Sequence, residues 1–266
     1  MDIFKADIEK YEKIHKEYER TIGTKVSVED LRTRHEILFS AHSCAIEGNS
    51  FTVGDTQELK EKGLGLIPSG KSLFEAFEIL DHFKAYEFLL GNTSRPLTEN
   101  LLKETHKILM ANTLPYKVKG AVPGEYTDTD MCAGETVFGD HEVLVAKVPQ
   151  LLESTQKAIE SATLHPIVLA ARFHGFFEYL HPFRDGNGRV GRLFSNYILQ
   201  KMGHPMIVID SKDRVDYLGA MNSIRTERTD EHLIRFFFMS AISHMQQDID
   251  DHKNATQKQR LMSFVF

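Results

Sequence analysis

An imidazole, a carboxylate, an amide and three guanidinium groups fall within the run His181-Pro182-Phe183-Arg184-Asp185-Gly186-Asn187-Gly188-Arg189-Val190-Gly191-Arg192. Pro182 cannot continue a helix carrying Phe176, Phe177 and Leu180, and Gly186 and Gly188 allow backbone angles and close ligand approach that a Cβ would block. A second helix is expected to begin near Gly188 or Arg189, with its free N–H groups and positive dipole end facing the loop, an arrangement that favours an anion. Cations in a first helical turn oppose the dipole, so Arg189 and Arg192 need a reason to be there. Their spacing places both on one face, where they can clamp a polyphosphate.

His181 sits where the first helix breaks, and an imidazole there suits a proton acceptor near neutral pH. Asp185 is the only carboxylate in the loop. One carboxylate is too few for an all-protein metal cage but normal for Mg²⁺, whose other ligands are waters and nucleotide phosphates. Asn187 can donate its side-chain amide to a phosphate oxygen, and Phe183 is expected to anchor the loop in the core. Attack of a hydroxyl on phosphorus needs a base, charge-absorbing groups and backbone amides, and this run offers all three.

These groups must be held by the rest of a 266-residue chain that is 41% hydrophobic and has no tryptophan. That is enough for one large core. A net charge of −6 with scattered basic residues gives no footprint for nucleic acid. The two cysteines, Cys44 and Cys132, form no metal or disulfide framework, which fits a reducing cytoplasm. Met1 to Glu19 has no apolar run of signal-peptide length, and no later stretch suits a membrane span.

Apolar spacing predicts helices near residues 4–22, 28–46, 71–90, 98–109, 148–162, 166–180, 188–202, 213–225 and 231–250. Thr136 to Val145 reads as two short extended pieces around Gly139-Asp140, a β-hairpin. His174 and His106 are expected to be structural. The expected architecture is an all-α bundle with one small hairpin. It divides into an N-terminal helical region (1–70), a catalytic core (71–250) and a polar C-terminal tail (251–266).

The run 181–192 resembles the signature of the Fic family, and the preceding His165-Pro166-Ile167 to His174 is similar to it as well. That resemblance implies an all-α Fic fold and transfer of AMP from ATP to a Ser, Thr or Tyr hydroxyl of a target protein and of the chain itself. His181 would be the base and Asp185 would hold Mg²⁺. Gly186, Asn187, Gly188, Arg189 and Arg192 would bind phosphates, with Tyr217 near the adenine. The hairpin would be a flap that aligns the target by strand addition. Ser43-Cys44-Ala45-Ile46-Glu47-Gly48 is similar to the family's inhibitory helix motif, so Ser43, Glu47 and Gly48 would form a restraint in which Glu47 pairs with Arg192. Gly124-Glu125-Tyr126 is followed by Thr127, where family flaps often carry an arginine. The partners implied are ATP and a target protein, with neither nucleic acid nor membrane, and a homodimer is compatible. Alternatives in the same site are removal of AMP, transfer of another phosphate-containing group, or a nucleotide-responsive binding module.

Overall fold

Helices begin in this chain where a short polar side chain takes up the free N–H groups of the first turn. Ser27 caps α2 (Val28–Ile46) by accepting from the Asp30 amide. Thr52 with Asp55 and Ser72 with Glu75 form reciprocal capping boxes on α3 (Val53–Lys62) and α4 (Leu73–Leu90). In the computed structural model, which describes residues 2–23, 25–65, 67–133 and 136–263, these helices follow α1 (Lys5–Tyr18). They lead to α5 (Glu99–Leu109) and the short α6 (Leu114–Lys117). The second half holds α7 (His141–Val145), α8 (Val148–Ser161), α9 (Pro166–Leu180), α10 (Asn187–Lys201), α11 (Arg214–Thr226) and α12 (Glu231–Ser263). The fold is all-α, as expected.

At its centre lie α9 and α10, each apolar over much of its circumference and therefore surrounded by other helices. Gly191 lets the two approach: a Cβ built there would lie 2.3 Å from His174 Nδ1. α12 packs on α1, α9 and α11, while α4 packs on α2, α5 and α10. One apolar cluster runs from Phe4, Tyr11, Phe39 and Ile46 to Phe237 and Ile249. A smaller one, containing Cys44, Phe51, Leu59 and Phe83, joins α2, α3 and α4. The loop around residue 70, the expected boundary, thus has shared core on both sides. No helix among the described residues is long and apolar enough to cross a membrane.

Two expectations are corrected. The hairpin flap over 136–145 is not formed. Only its first two residues, β2 (Thr136–Val137), are extended, and they pair backwards with β1 (Cys132–Ala133) in a ladder of two residues per strand. The segment expected as the second strand is α7, because the Asp140 carboxylate accepts from the amides of Glu142 and Val143 and nucleates a turn. The C-terminal stretch also differs: α12 continues past Asp250 to Ser263.

Candidate active site

α9 ends at His181, which adopts the left-handed conformation (φ 47°) and donates its amide to Phe177 O at 2.9 Å. The loop then turns back and α10 begins at Asn187, with Gly186 as N-cap at φ 81°. Phe183 is fully buried against His106, their rings stacked with centroids 3.7 Å apart. The Gly124 amide donates to His106 Nδ1 at 2.8 Å, so Nε2 carries the proton and donates to Asp185 O at 3.0 Å. His106 therefore holds the loop's backbone, more than the packing role expected.

Asn187 ties the loop together. Its Oδ1 accepts from the Phe183 amide at 3.0 Å and its Nδ2 donates to Phe183 O at 2.7 Å. The side chain is a staple across the loop.

The two arginines of α10 also part company. Arg189, 1% exposed, turns to Glu78 Oε1 at 3.4 Å and Asp185 Oδ1 at 3.6 Å. Arg192, 2% exposed, donates from Nε to Ser43 Oγ at 3.0 Å and from Nη2 to Ser43 O at 2.8 Å and Glu47 Oε1 at 2.7 Å. Its Nη1 donates to Tyr217 Oη at 3.3 Å, and Tyr217 in turn pairs with His174 Nε2 at 2.5 Å. His174 is buried and structural, as expected.

Ser43 and Glu47, one turn apart on α2, reach the start of α10 together. The Glu47 carboxylate stands where a Cβ on Gly188 would be, at 2.4 Å. Burial opposes its charge, but Arg192 and Arg189 outweigh that and hold its pKa below the ordinary carboxylate range. Gly48 (φ 100°) lets the chain leave α2. Arg214 Nε donates to Ile46 O at 2.7 Å and so holds the last turn of α2.

A cavity of about 330 Å³ collects Glu47, His181, Asp185, Gly188, Arg192 and Tyr217 at its walls. Asp185 pairs with Lys117 Nζ at 2.8 Å and accepts from the Gly186 amide at 2.7 Å. Burial works against its ionised form, yet Arg189 and Lys117 keep its pKa below the ordinary value. On the far side of His181 a second cavity of about 340 Å³ is lined by Phe138, Glu178, Met221 and Arg225.

His181 stacks on Phe138 with centroids 4.1 Å apart, and its Nδ1 lies 3.7 Å from Glu178 Oε2. Burial, then the Arg225 guanidinium, push its pKa down to about 4, so the imidazole is neutral at neutral pH. Burial, then the Glu47 charge, push Glu178 up to about 8. Sequence reasoning passed over Glu178, although its place one helical turn before His181 was a usable signal. Lys117 and His106 lie far from the loop in sequence and gave none.

Residues 96–199 match the model of the Fic/DOC family. Over 191 residues the chain is 33% identical to a protein adenylyltransferase Fic from Nematostella vectensis, an alignment that covers 68% of this chain and 41% of the relative. A Fic domain containing signalling protein from Bacteroides thetaiotaomicron superposes with a TM-score of 0.78 at 24% identity, over 92% of this chain and 97% of that one. IbpAFic2 in complex with adenylylated Cdc42 superposes with a TM-score of 0.55 at 20% identity, over 89% of this chain and 70% of that one. The chain carries a Fic/DOC domain over residues 96–199. It spans about two fifths of the length of the curated relative named here, 41%.

Proposed function

We propose that this chain is a protein adenylyltransferase that moves AMP from ATP to a hydroxyl side chain of a target protein, and that Glu47 restrains it. The observation that carries this reading is the Glu47 carboxylate lodged at the α10 N-terminus, 2.7 Å from Arg192. An anion already bound at a helix start beside a buried arginine marks a site built for phosphate. The name of the Nematostella relative and the adenylylated partner of IbpAFic2 support the choice of AMP.

In this reading the target hydroxyl attacks the α-phosphorus of ATP, a P–O bond forms to it, and pyrophosphate leaves. His181 takes the hydroxyl proton. Its Nδ1 is turned to Glu178, which leaves Nε2 as the accepting atom. The neutral imidazole is ready for that role, and the nucleotide's negative charge raises its basicity on binding. The backbone amides at the start of α10 and the Arg192 guanidinium absorb phosphate charge. Asp185, ionised and on the cavity wall, would hold Mg²⁺, which when bound neutralises charge on the phosphates. The cavity beyond His181, between Phe138 and Arg225, is the approach for the target side chain. The free Cys44 and Cys132 support a cytoplasmic setting.

With Glu47 in place Arg192 is occupied and a γ-phosphate is denied its partner. Labelled ATP with Mg²⁺ should give weak self-labelling that rises in Glu47→Gly and disappears when His181→Ala is added; no labelling of the Glu47→Gly chain overturns the proposal. A second reading rests on the exposure of the Glu47 side chain, 37%, towards the cavity. An ionised carboxylate there can orient a water to remove AMP from a modified protein. Release of AMP from an adenylylated substrate, abolished by Glu47→Gly, would favour that direction.

A further inference from the structure

Away from the active site, α2 and α12 bring together two histidines and an aspartate. His35 lies on α2, while His244 and Asp248 lie four apart on one face of α12. All three are buried, with exposures of 6%, 7% and 2% respectively. His35 Nε2 is 2.7 Å from Asp248 Oδ2, and His244 Nε2 is 3.8 Å from the same oxygen. One donor atom from each residue falls within 4.8 Å of the others.

Two features are unusual for a purely structural cluster. His244 Nε2 is buried and has no hydrogen-bond partner among the described residues. Asp248 Oδ1 is likewise buried without one, and Arg34 Nη2 stands 3.6 Å from it. Buried polar atoms in native proteins are satisfied by protein, water or an ion, and atoms left over need an account.

We propose that His35, His244 and Asp248 form a binding site for a zinc-class divalent cation. Two imidazole nitrogens and one carboxylate oxygen suit Zn²⁺ or Co²⁺, whereas Mg²⁺ and Ca²⁺ prefer oxygen donors alone. Bonds of about 2.0–2.2 Å in a tetrahedral site set the donors roughly 3.3 Å apart. The observed 2.7 Å and 3.8 Å lie on either side of that spacing, so each separation changes by about half an ångström to complete the site. Tyr18 Oη donates to Asp248 Oδ2 at 3.4 Å and orients the carboxylate, as the outer partners of metal ligands do. A water supplies the fourth ligand. His35 and Tyr18 also line a surface cavity of about 300 Å³, which provides an entry path.

The cation clips α2 to α12 twelve residues before Glu47, about 18 Å along the helix. If Glu47 restrains the enzyme, as proposed above, the clip stiffens the helix that carries the restraint; the binding test does not depend on that reading.

The test uses the full chain after treatment with a chelator. Calorimetric titration with Zn²⁺ should show one equivalent bound and a raised thermal midpoint, and Co²⁺ should give the visible absorption of a tetrahedral complex. His244→Gln and His35→Gln, checked for folding by circular dichroism, should each weaken Zn²⁺ binding by more than the roughly 10- to 100-fold that loss of an outer-shell partner costs. His141→Ala, in the exposed Asp130, Asp140 and His141 group, should change nothing. Failure of the folded wild-type chain to bind either metal overturns the proposal, as does binding that survives His244→Gln or is lost in His141→Ala. The wild-type Co²⁺ spectrum decides the matter even if the histidine variants do not fold.

Discussion

Glu47 Oε1 lies 2.7 Å from Arg192 Nη2 and fills the space that a Cβ on Gly188 would need. A single carboxylate thereby engages the buried arginine and sits at the first turn of α10 at once. Residues 145 apart in the chain meet there because α2 packs across the start of α10.

On the proposed function Arg192 serves both states of the site, the restrained and the nucleotide-bound. Arg192→Ala in the Glu47→Gly background should lower kcat/KM for self-labelling by about 100-fold or more, the scale of losing one charge-stabilising donor. Arg192→Lys should not restore it, because an ammonium lacks the planar fork that binds a phosphate bidentately while also holding Ser43 and Tyr217. Labelling rates at several ATP concentrations check both outcomes.

Tyr217 is held by its hydroxyl, which lies between Arg192 Nη1 and His174 Nε2. Tyr217→Phe leaves both groups short of a partner in a buried setting and should cost about 1–3 kcal/mol of stability. It should also loosen Arg192, so basal labelling of the otherwise wild-type chain rises. Chemical denaturation and a labelling assay read the two effects separately.

Glu178 should make the protein's stability depend on pH. Its pKa is raised from 4.5 to about 8, so the folded chain keeps a proton there that the unfolded chain releases. Stability from this group is fully present below 4.5 and is lost as pH rises towards about 8. Glu178→Gln removes the dependence and should raise the thermal midpoint progressively more across that window. A constant offset at every pH would refute the assignment.

Gly191 is the contact point of α9 and α10. A Cβ there would meet His174 Nδ1 at 2.3 Å and Phe177 Cδ1 at 3.4 Å, both on a packed helix. Gly191→Ala should therefore cost about 1–3 kcal/mol by overpacking, despite alanine's better helix propensity. Urea unfolding measures this directly.

Much of this site was legible in the sequence because its parts are local. Pro182, Gly186 and Phe183 impose the break, turn and anchor with little help from elsewhere, and Ser43 and Glu47 carry their meaning in one helical turn. What could not be read depends on partners distant in sequence. The spacing of Arg189 and Arg192 implied one shared face, but Glu78 from α4 draws Arg189 inward. The hydroxyl of Tyr217 joins Arg192 to His174, a link between residues far apart in the chain. The hairpin was read from two short extended pieces around Gly139-Asp140, but the Asp140 carboxylate caps and starts α7 instead of closing a turn.

If Glu47 restrains the enzyme as proposed, the shared core of α1 and α2 with α9 and α10 bears on how quickly that restraint is lifted. Undocking those helices would expose Phe4, Tyr11, Phe39 and Ile46, each worth about 1.5–3 kcal/mol of burial, so the event would be as rare as partial unfolding. Rotation of the Glu47 side chain about its own bonds strips no apolar surface and breaks only its pairing with Arg192. On that proposal basal activity is a leak whose level is set by a rotamer population.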